Sequence, residues 1–191
     1  MYFELYTTSI GGMTDDQFFA FCQENRNLHF ERNANGQIIF IMPTGGKTGY
    51  YNTQIITDLN IWNRITKLGV VFDSSTGFRL PNTATRSPDA SWVAKERWDA
   101  LTEEEKSKFP PLCPDFVVEL ASESDAGSEL KDKMEEYRTN GCRLGWLIAP
   151  AEQKVWIYRP SQSVQEVTAF THKLSGEDVL PGFELDLQIL Q

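Results

Sequence analysis

Phe116-Val117-Val118-Glu119-Leu120 is a nearly continuous apolar run with one carboxylate inside it. Apolar residues at almost every position, without alternation, mark a strand covered on both faces. An ionised carboxylate in such a strand is costly unless it is paired or bound to a cation. The run therefore sets two expectations: a strand deep in a sheet, and a polar centre at Glu119.

Downstream, residues 128–140 read as a helix ended by Gly141, and 144–148 as a second apolar strand. Residues 150–153 form a short turn, so the alternating stretch 154–158 pairs with that strand. Residues 165–170 and 179–190 add edge strands or a closing segment. Upstream, Ser87-Pro88-Asp89 leads into a strand over 90–93, with further strands over 70–72 and 76–80. The charged stretch 95–108, which contains Trp98, reads as helical.

A long helix is expected over 49–67. Tyr51, Ile55, Leu59 and Trp62 line one face, Ile56 and Ile65 widen it, and Gly69 is placed to cap its end. Asn33-Ala34-Asn35-Gly36 separates 28–32 from 37–42, and Asn-Gly favours the positive φ of a tight hairpin turn. Thr14-Asp15-Asp16-Gln17 has the form of a capping box before Phe18, Phe19, Phe21 and Cys22 at helical spacing. Helices and strands interleave without repeat or linker. The fold class is α/β or α+β around a mixed central sheet, in one domain over 1–191.

Composition narrows the function. At 40% hydrophobic and 24% charged the chain is an ordinary globular one, and no apolar run reaches the length of a membrane span. Residues 1–10 lack the basic start and apolar middle of a signal peptide, so the cytoplasm is the expected compartment. Cys22, Cys113 and Cys142 form no close pair in sequence, and His29 and His172 lie far apart, so no zinc spacing is present. The net charge of −9 resists a nucleic-acid partner, because affinity for nucleic acid comes from neutralising phosphates. A local basic patch together with a bound cation can overcome this.

Three features carry chemistry: Asp89 where a loop enters a strand, Glu119 inside its apolar strand, and the helix bearing Lys131 and Lys133. Two carboxylates can hold Mg²⁺ or Mn²⁺, and a lysine leaning back over the strand can orient or deprotonate a metal-bound water or stabilise charge developing on a phosphate. Structural readings stand beside this. Asp89 could be a turn residue, Glu119 could form a buried ion pair with Lys133, and Lys133 could lie on a solvated face with Glu129 and Glu136.

Several segments carry a family resemblance. They are Gly77-Phe78-Arg79-Leu80, Arg86-Ser87-Pro88-Asp89-Ala90-Ser91-Trp92-Val93, Cys113-Pro114-Asp115-Phe116-Val117-Val118-Glu119-Leu120, Lys133-Met134-Glu135-Glu136-Tyr137, the stretch 140–148, and Val179-Leu180-Pro181-Gly182-Phe183-Glu184-Leu185. Through them nearly the whole chain resembles the Uma-type restriction endonuclease family, abundant in cyanobacteria, within the PD-(D/E)XK nuclease superfamily. The resemblance implies a restriction-endonuclease-like core and a metal-dependent DNA endonuclease, with Asp89 and Glu119 as metal ligands and the Leu120 carbonyl as a third. The family pattern has a lysine two residues after the second acid, where this chain has Ala121. Lys133, in a Lys-x-x-x-Tyr pattern, is the replacement it implies, with Lys131 as the alternative.

Glu31, on the first hairpin, could ligate the metal or orient Lys133, and Asn52 could contact substrate. Gly45-Gly46-Lys47-Thr48 resembles a phosphate-binding loop, but Ile41 stands where its first glycine belongs. Lys47 could still touch DNA phosphate. Cleavage of both strands favours a homodimer or higher homo-oligomer, with Trp98, Trp156 and Tyr158 open to interface or core roles. Two other functions compete: a non-catalytic DNA- or protein-binding module on the same fold, and metal-assisted hydrolysis of a phosphoester outside nucleic acid.

Overall fold

The computed structural model describes residues 3–7, 9, 11–122 and 127–191. Strand β1 (Phe3–Leu5) precedes helix α1 (Asp15–Glu24), then β2 (His29–Arg32), β3 (Ile38–Ile41) and the long helix α2 (Gly46–Thr66). Four strands follow: β4 (Gly69–Asp73), β5 (Phe78–Arg79), β6 (Thr85–Arg86) and β7 (Ala90–Ala94). Two short helices, α3 (Lys95–Asp99) and α4 (Glu103–Ser107), lead to β8 (Phe116–Leu120), α5 (Gly127–Thr139), β9 (Leu144–Ala149) and β10 (Lys154–Tyr158). Strands β11 (Gln165–Thr168), β12 (Lys173–Ser175) and β13 (Glu184–Asp186) and a 3-10 turn over Leu187–Leu190 complete the chain.

The central sheet has the order β11-β10-β9-β8-β7-β4. Strands β8 and β9 run parallel and the other neighbours antiparallel, so the sheet is mixed and the class is α+β. The parallel pair needs a crossover, and α5 supplies it. A second sheet, β1-β3-β2-β6-β5, carries the hairpin. Its turn closes where Asn33 N–H donates to Gln37 O at 3.0 Å, with Gly36 at φ +80°.

All five residues of β8 are buried. Phe116, Val118 and Leu120 face the core shared with Tyr51, Ile55, Leu59 and Trp62 of α2 and with the C-terminal segment. Trp146 meets Phe116 edge-on at 4.8 Å and stacks on Phe183 at 6.1 Å, and the Trp62 indole donates to Pro181 O at 3.0 Å. Val117 faces the other way, into a core shared with Met134 and Tyr137 of α5. The expected covering of both faces is thus met by α2 with the tail on one side and α5 on the other.

The Thr14–Gln17 capping box is formed, with Phe18 buried and Cys22 half-buried beneath it. All three thiols are free. Sequence expectation fails at α2 in three places. The helix begins at Gly46, Ile65 is 77% exposed, and its left-handed cap is Lys67 at φ +57°. Gly69 serves a different need: a Cβ there would lie 2.2 Å from Val93 O and 2.4 Å from the Trp92 ring. Strand β4 runs so close under Trp92 that only glycine fits. Strands β1, β6 and β12 were not expected, being too short to show a period. Tyr158 is buried and Trp98 packs on Phe72 at 5.1 Å, so both belong to the core. Among the described residues no helix is long and apolar enough to cross a membrane.

Candidate active site

Strand register builds the site. Ala90 of β7 stands opposite Val118 of β8. Continuing that register one residue beyond the start of β7 brings Asp89 level with Glu119. The Leu120 backbone N–H donates to Asp89 Oδ2 at 2.8 Å, and Asn52 Nδ2 of α2 donates to Asp89 Oδ1 at 3.3 Å.

Glu119 has the parity of Val117, so it projects toward α5. Lys133 and Tyr137 are one turn apart on that helix and share a face. Lys133 Nζ lies 2.8 Å from Glu119 Oε1, and the Tyr137 hydroxyl donates to the same oxygen at 3.0 Å. Lys133 Nζ also lies 2.9 Å from Glu31 Oε1 of β2.

Glu31 is held on every side. Ser87 N–H donates to its Oε1 at 2.8 Å and Arg86 Nη1 to its Oε2 at 3.0 Å. The geometry again follows register. Arg32 pairs with Thr85, which puts Glu31 beside Arg86 on the next rung. Arg86 Nε donates to Glu136 Oε2 at 2.5 Å, and Asn82 Nδ2 donates to Glu136 Oε1 at 2.9 Å. The segment that delivers Asp89 is thereby clamped between β2 and α5.

Burial opposes ionisation of Glu31, but Lys133 and Arg86 outweigh it and hold the carboxyl below the ordinary 4.5. Glu119 differs. Burial pushes it up, Asp89 and Glu31 add to the push, and its share of the Lys133 ammonium does not compensate, so it reaches about 8. Burial works against the Lys133 ammonium, yet Glu119 and Glu31 keep its pKa above the ordinary value. Tyr137 is raised by burial first and by Glu119 next, so its phenol stays a donor.

Fully ionised, the cluster sets Asp89, Glu119, Glu31 and Glu136 against Lys133 and Arg86, a net charge of −2. Among the described residues no group of three or more His, Cys, Asp or Glu side chains is arranged to hold a metal ion. The donor set fits a hard divalent cation of the kind that takes one or two carboxylates and fills its shell with water. Asp89 and Glu119 would be those carboxylates, and with both ionised a divalent cation would balance the two unmatched charges.

Of the residues singled out in the sequence, Asp89, Glu119, Lys133, Glu31 and Leu120 come together, with Asn52 beside them. The Leu120 contact seen is its N–H rather than its carbonyl. The solvated-face reading of Lys133 fails, because its side chain is 14% exposed and that of Glu136 16%. Lys131 instead lies over the Trp156 ring at 4.5 Å. Lys47 is exposed at the start of α2, over Tyr51 at 5.6 Å. The sequence reading assigned no role to Arg86, Asn82 or Tyr137. The signals were present, since Arg86 is next to Ser87-Pro88-Asp89 and Tyr137 is one turn from Lys133, but neither reveals its partner.

A mixed sheet between helical layers, with an acidic rung answered by a lysine from the crossover helix, is a nuclease-type α+β fold. It is shared with a solved structure from Anabaena variabilis described as "a putative nuclease belonging to DUF820", at a TM-score of 0.73 over 93% of this chain and 97% of that one, with 20% identity. The family model Uma2, "Putative restriction endonuclease", matches residues 15–188, and the chain belongs to that family. No curated protein matches it.

Proposed function

We propose that this protein is a cytoplasmic, divalent-metal-dependent DNA endonuclease that hydrolyses phosphodiester bonds at the Asp89–Glu119 rung. The observation that carries the reading is the meeting of Glu119 with Lys133 at 2.8 Å beside Asp89, in a chain of this family. Mg²⁺ is the expected ion, with Mn²⁺ as a substitute. When bound, it would polarise a phosphoryl oxygen and activate water for attack.

The residues divide the remaining work. Asp89, held by the Leu120 N–H and Asn52, presents one carboxylate in a fixed direction. Glu119 is the second ligand and must lose its proton to serve, which a cation would promote. The Leu120 carbonyl is a third candidate ligand. Lys133 keeps its proton, which supports an electrostatic role on the phosphate over that of a general base. Glu31 has both oxygens engaged, which supports its orienting Lys133 over ligating metal. Lys47 would add a phosphate contact at the edge of the site. A homodimer would supply a second such site for the second strand.

The test is incubation of supercoiled plasmid with Mg²⁺ or Mn²⁺, alongside Asp89→Ala and EDTA controls. Metal-dependent nicking or cutting that is lost in the variant is expected. The second reading, a non-catalytic DNA- or protein-binding module, draws on the net charge of −9 and on Lys133 being held between two glutamates. Wild-type protein that retains DNA but leaves plasmid intact with either ion would favour it.

A further inference from the structure

Asn52 sits in the second turn of α2, next to Tyr51, whose ring is in the core. Its amide has a defined orientation. Asp89 Oδ1 can only accept, so the nitrogen of Asn52 faces it, at 3.3 Å, and the carbonyl oxygen points elsewhere. That oxygen is sealed from solvent, and no donor among the described residues reaches it. Only two other buried side-chain atoms there share this state, Ser91 Oγ and Trp146 Nε1. Asn52 Oδ1 alone of the three belongs to a side chain bonded to a site carboxylate.

A buried amide oxygen without a donor is an unfavourable arrangement that a fold keeps where something electropositive fills it. Hard divalent cations take amide oxygens as neutral ligands beside carboxylates. The charge count favours a neutral group here. With Glu119 deprotonated as a ligand the cluster carries −2, which one divalent cation balances, and a third free carboxylate would overshoot.

We propose that Asn52 Oδ1 is a ligand of the divalent cation, the neutral member of a shell whose charged members are Asp89 and Glu119. This rests on the metal-dependent reading above. Asn52 then does two jobs with one amide: the nitrogen aims Asp89 and the oxygen faces the ion.

The experiment is calorimetric titration of Mn²⁺ and Cd²⁺ into wild type, Asp89→Ala, Asn52→Leu and Asn52→Cys, with metal-free thermal melts to confirm folding. Wild type should bind Mn²⁺ and Asp89→Ala should not, which tests the metal reading by itself. Asn52→Leu should weaken Mn²⁺ by about ten-fold or more. Asn52→Cys should raise the Cd²⁺-to-Mn²⁺ affinity ratio at least about ten-fold over wild type, with a thiolate-to-cadmium band in the ultraviolet, because a soft sulfur selects the softer ion only when it touches it. An unchanged ratio in Asn52→Cys, or wild-type Mn²⁺ affinity in Asn52→Leu, overturns the ligand assignment and leaves the Asp89–Glu119 reading standing. Wild-type protein that binds no Mn²⁺ removes both. If Asn52→Leu does not fold, the Asn52→Cys ratio decides.

Discussion

Lys133 and Glu119 meet at 2.8 Å because the helix that follows β8 runs back over it. The lysine is far from the acid in sequence and adjacent in space. It also serves Glu31, so one ammonium answers two buried carboxylates.

Removing that ammonium should separate structure from chemistry. Lys133→Ala leaves Glu119 and Glu31 without their shared partner, and metal-free stability should fall by about 3 kcal/mol. Plasmid cleavage should drop by about 10²-fold or more while calorimetric Mn²⁺ binding persists. Lys131→Ala, which removes only the cation over Trp156, should leave cleavage intact. Full activity in Lys133→Ala would sink the assignment.

Asp89→Ala should abolish Mn²⁺ binding, because it deletes half of the carboxylate pair at the rung. Stability should change less than in Lys133→Ala, since the change removes a negative charge from a cluster in which acids outnumber bases. Calorimetry with unaltered Mn²⁺ affinity would exclude Asp89 as a ligand.

The raised pKa of Glu119 gives a pH signature in metal-free protein. Below about pH 4.5 the group is protonated whether the chain is folded or not, and its contribution is fully present. Between there and about pH 8 the unfolded chain releases the proton and the folded chain keeps it, so stability declines across that window. Glu119→Gln has no proton to lose. The urea midpoint of wild type relative to Glu119→Gln should therefore fall from pH 5 to pH 8 in EDTA, and parallel profiles would refute the assignment.

Gly69→Ala should destabilise by about 1–3 kcal/mol, because the new methyl meets Val93 O and the Trp92 ring. Lys67→Gly should stabilise by a few tenths to about 1 kcal/mol, since Lys67 holds the left-handed cap of α2. Thermal melts of both variants check the pair. Stabilisation by Gly69→Ala would show that β4 and β7 can separate without cost.

The sequence alone determined the strands and helices whose pattern is long enough to read. The unbroken apolar run of β8 required cover on both faces, and Asn33-Ala34-Asn35-Gly36 required a turn. The four inward residues of α2 required a core to meet them. It also marked Glu119, since an acid in a buried strand is conspicuous by cost alone, and pointed to Asp89 only as the acid where a loop enters a strand.

Tertiary structure decided what local spacing does not encode. Register brought Asp89, at the entry to β7, level with Glu119 and put Glu31 beside Arg86, and register depends on the pairing of whole strands. The crossover of α5 chose Lys133 over Lys131, because only the lysine one turn from Tyr137 lies on the face that meets Glu119. Gly69 shows the same limit. Its place after a helix pointed to a cap, and only the approach of Trp92 from a distant strand revealed why no side chain can stand there.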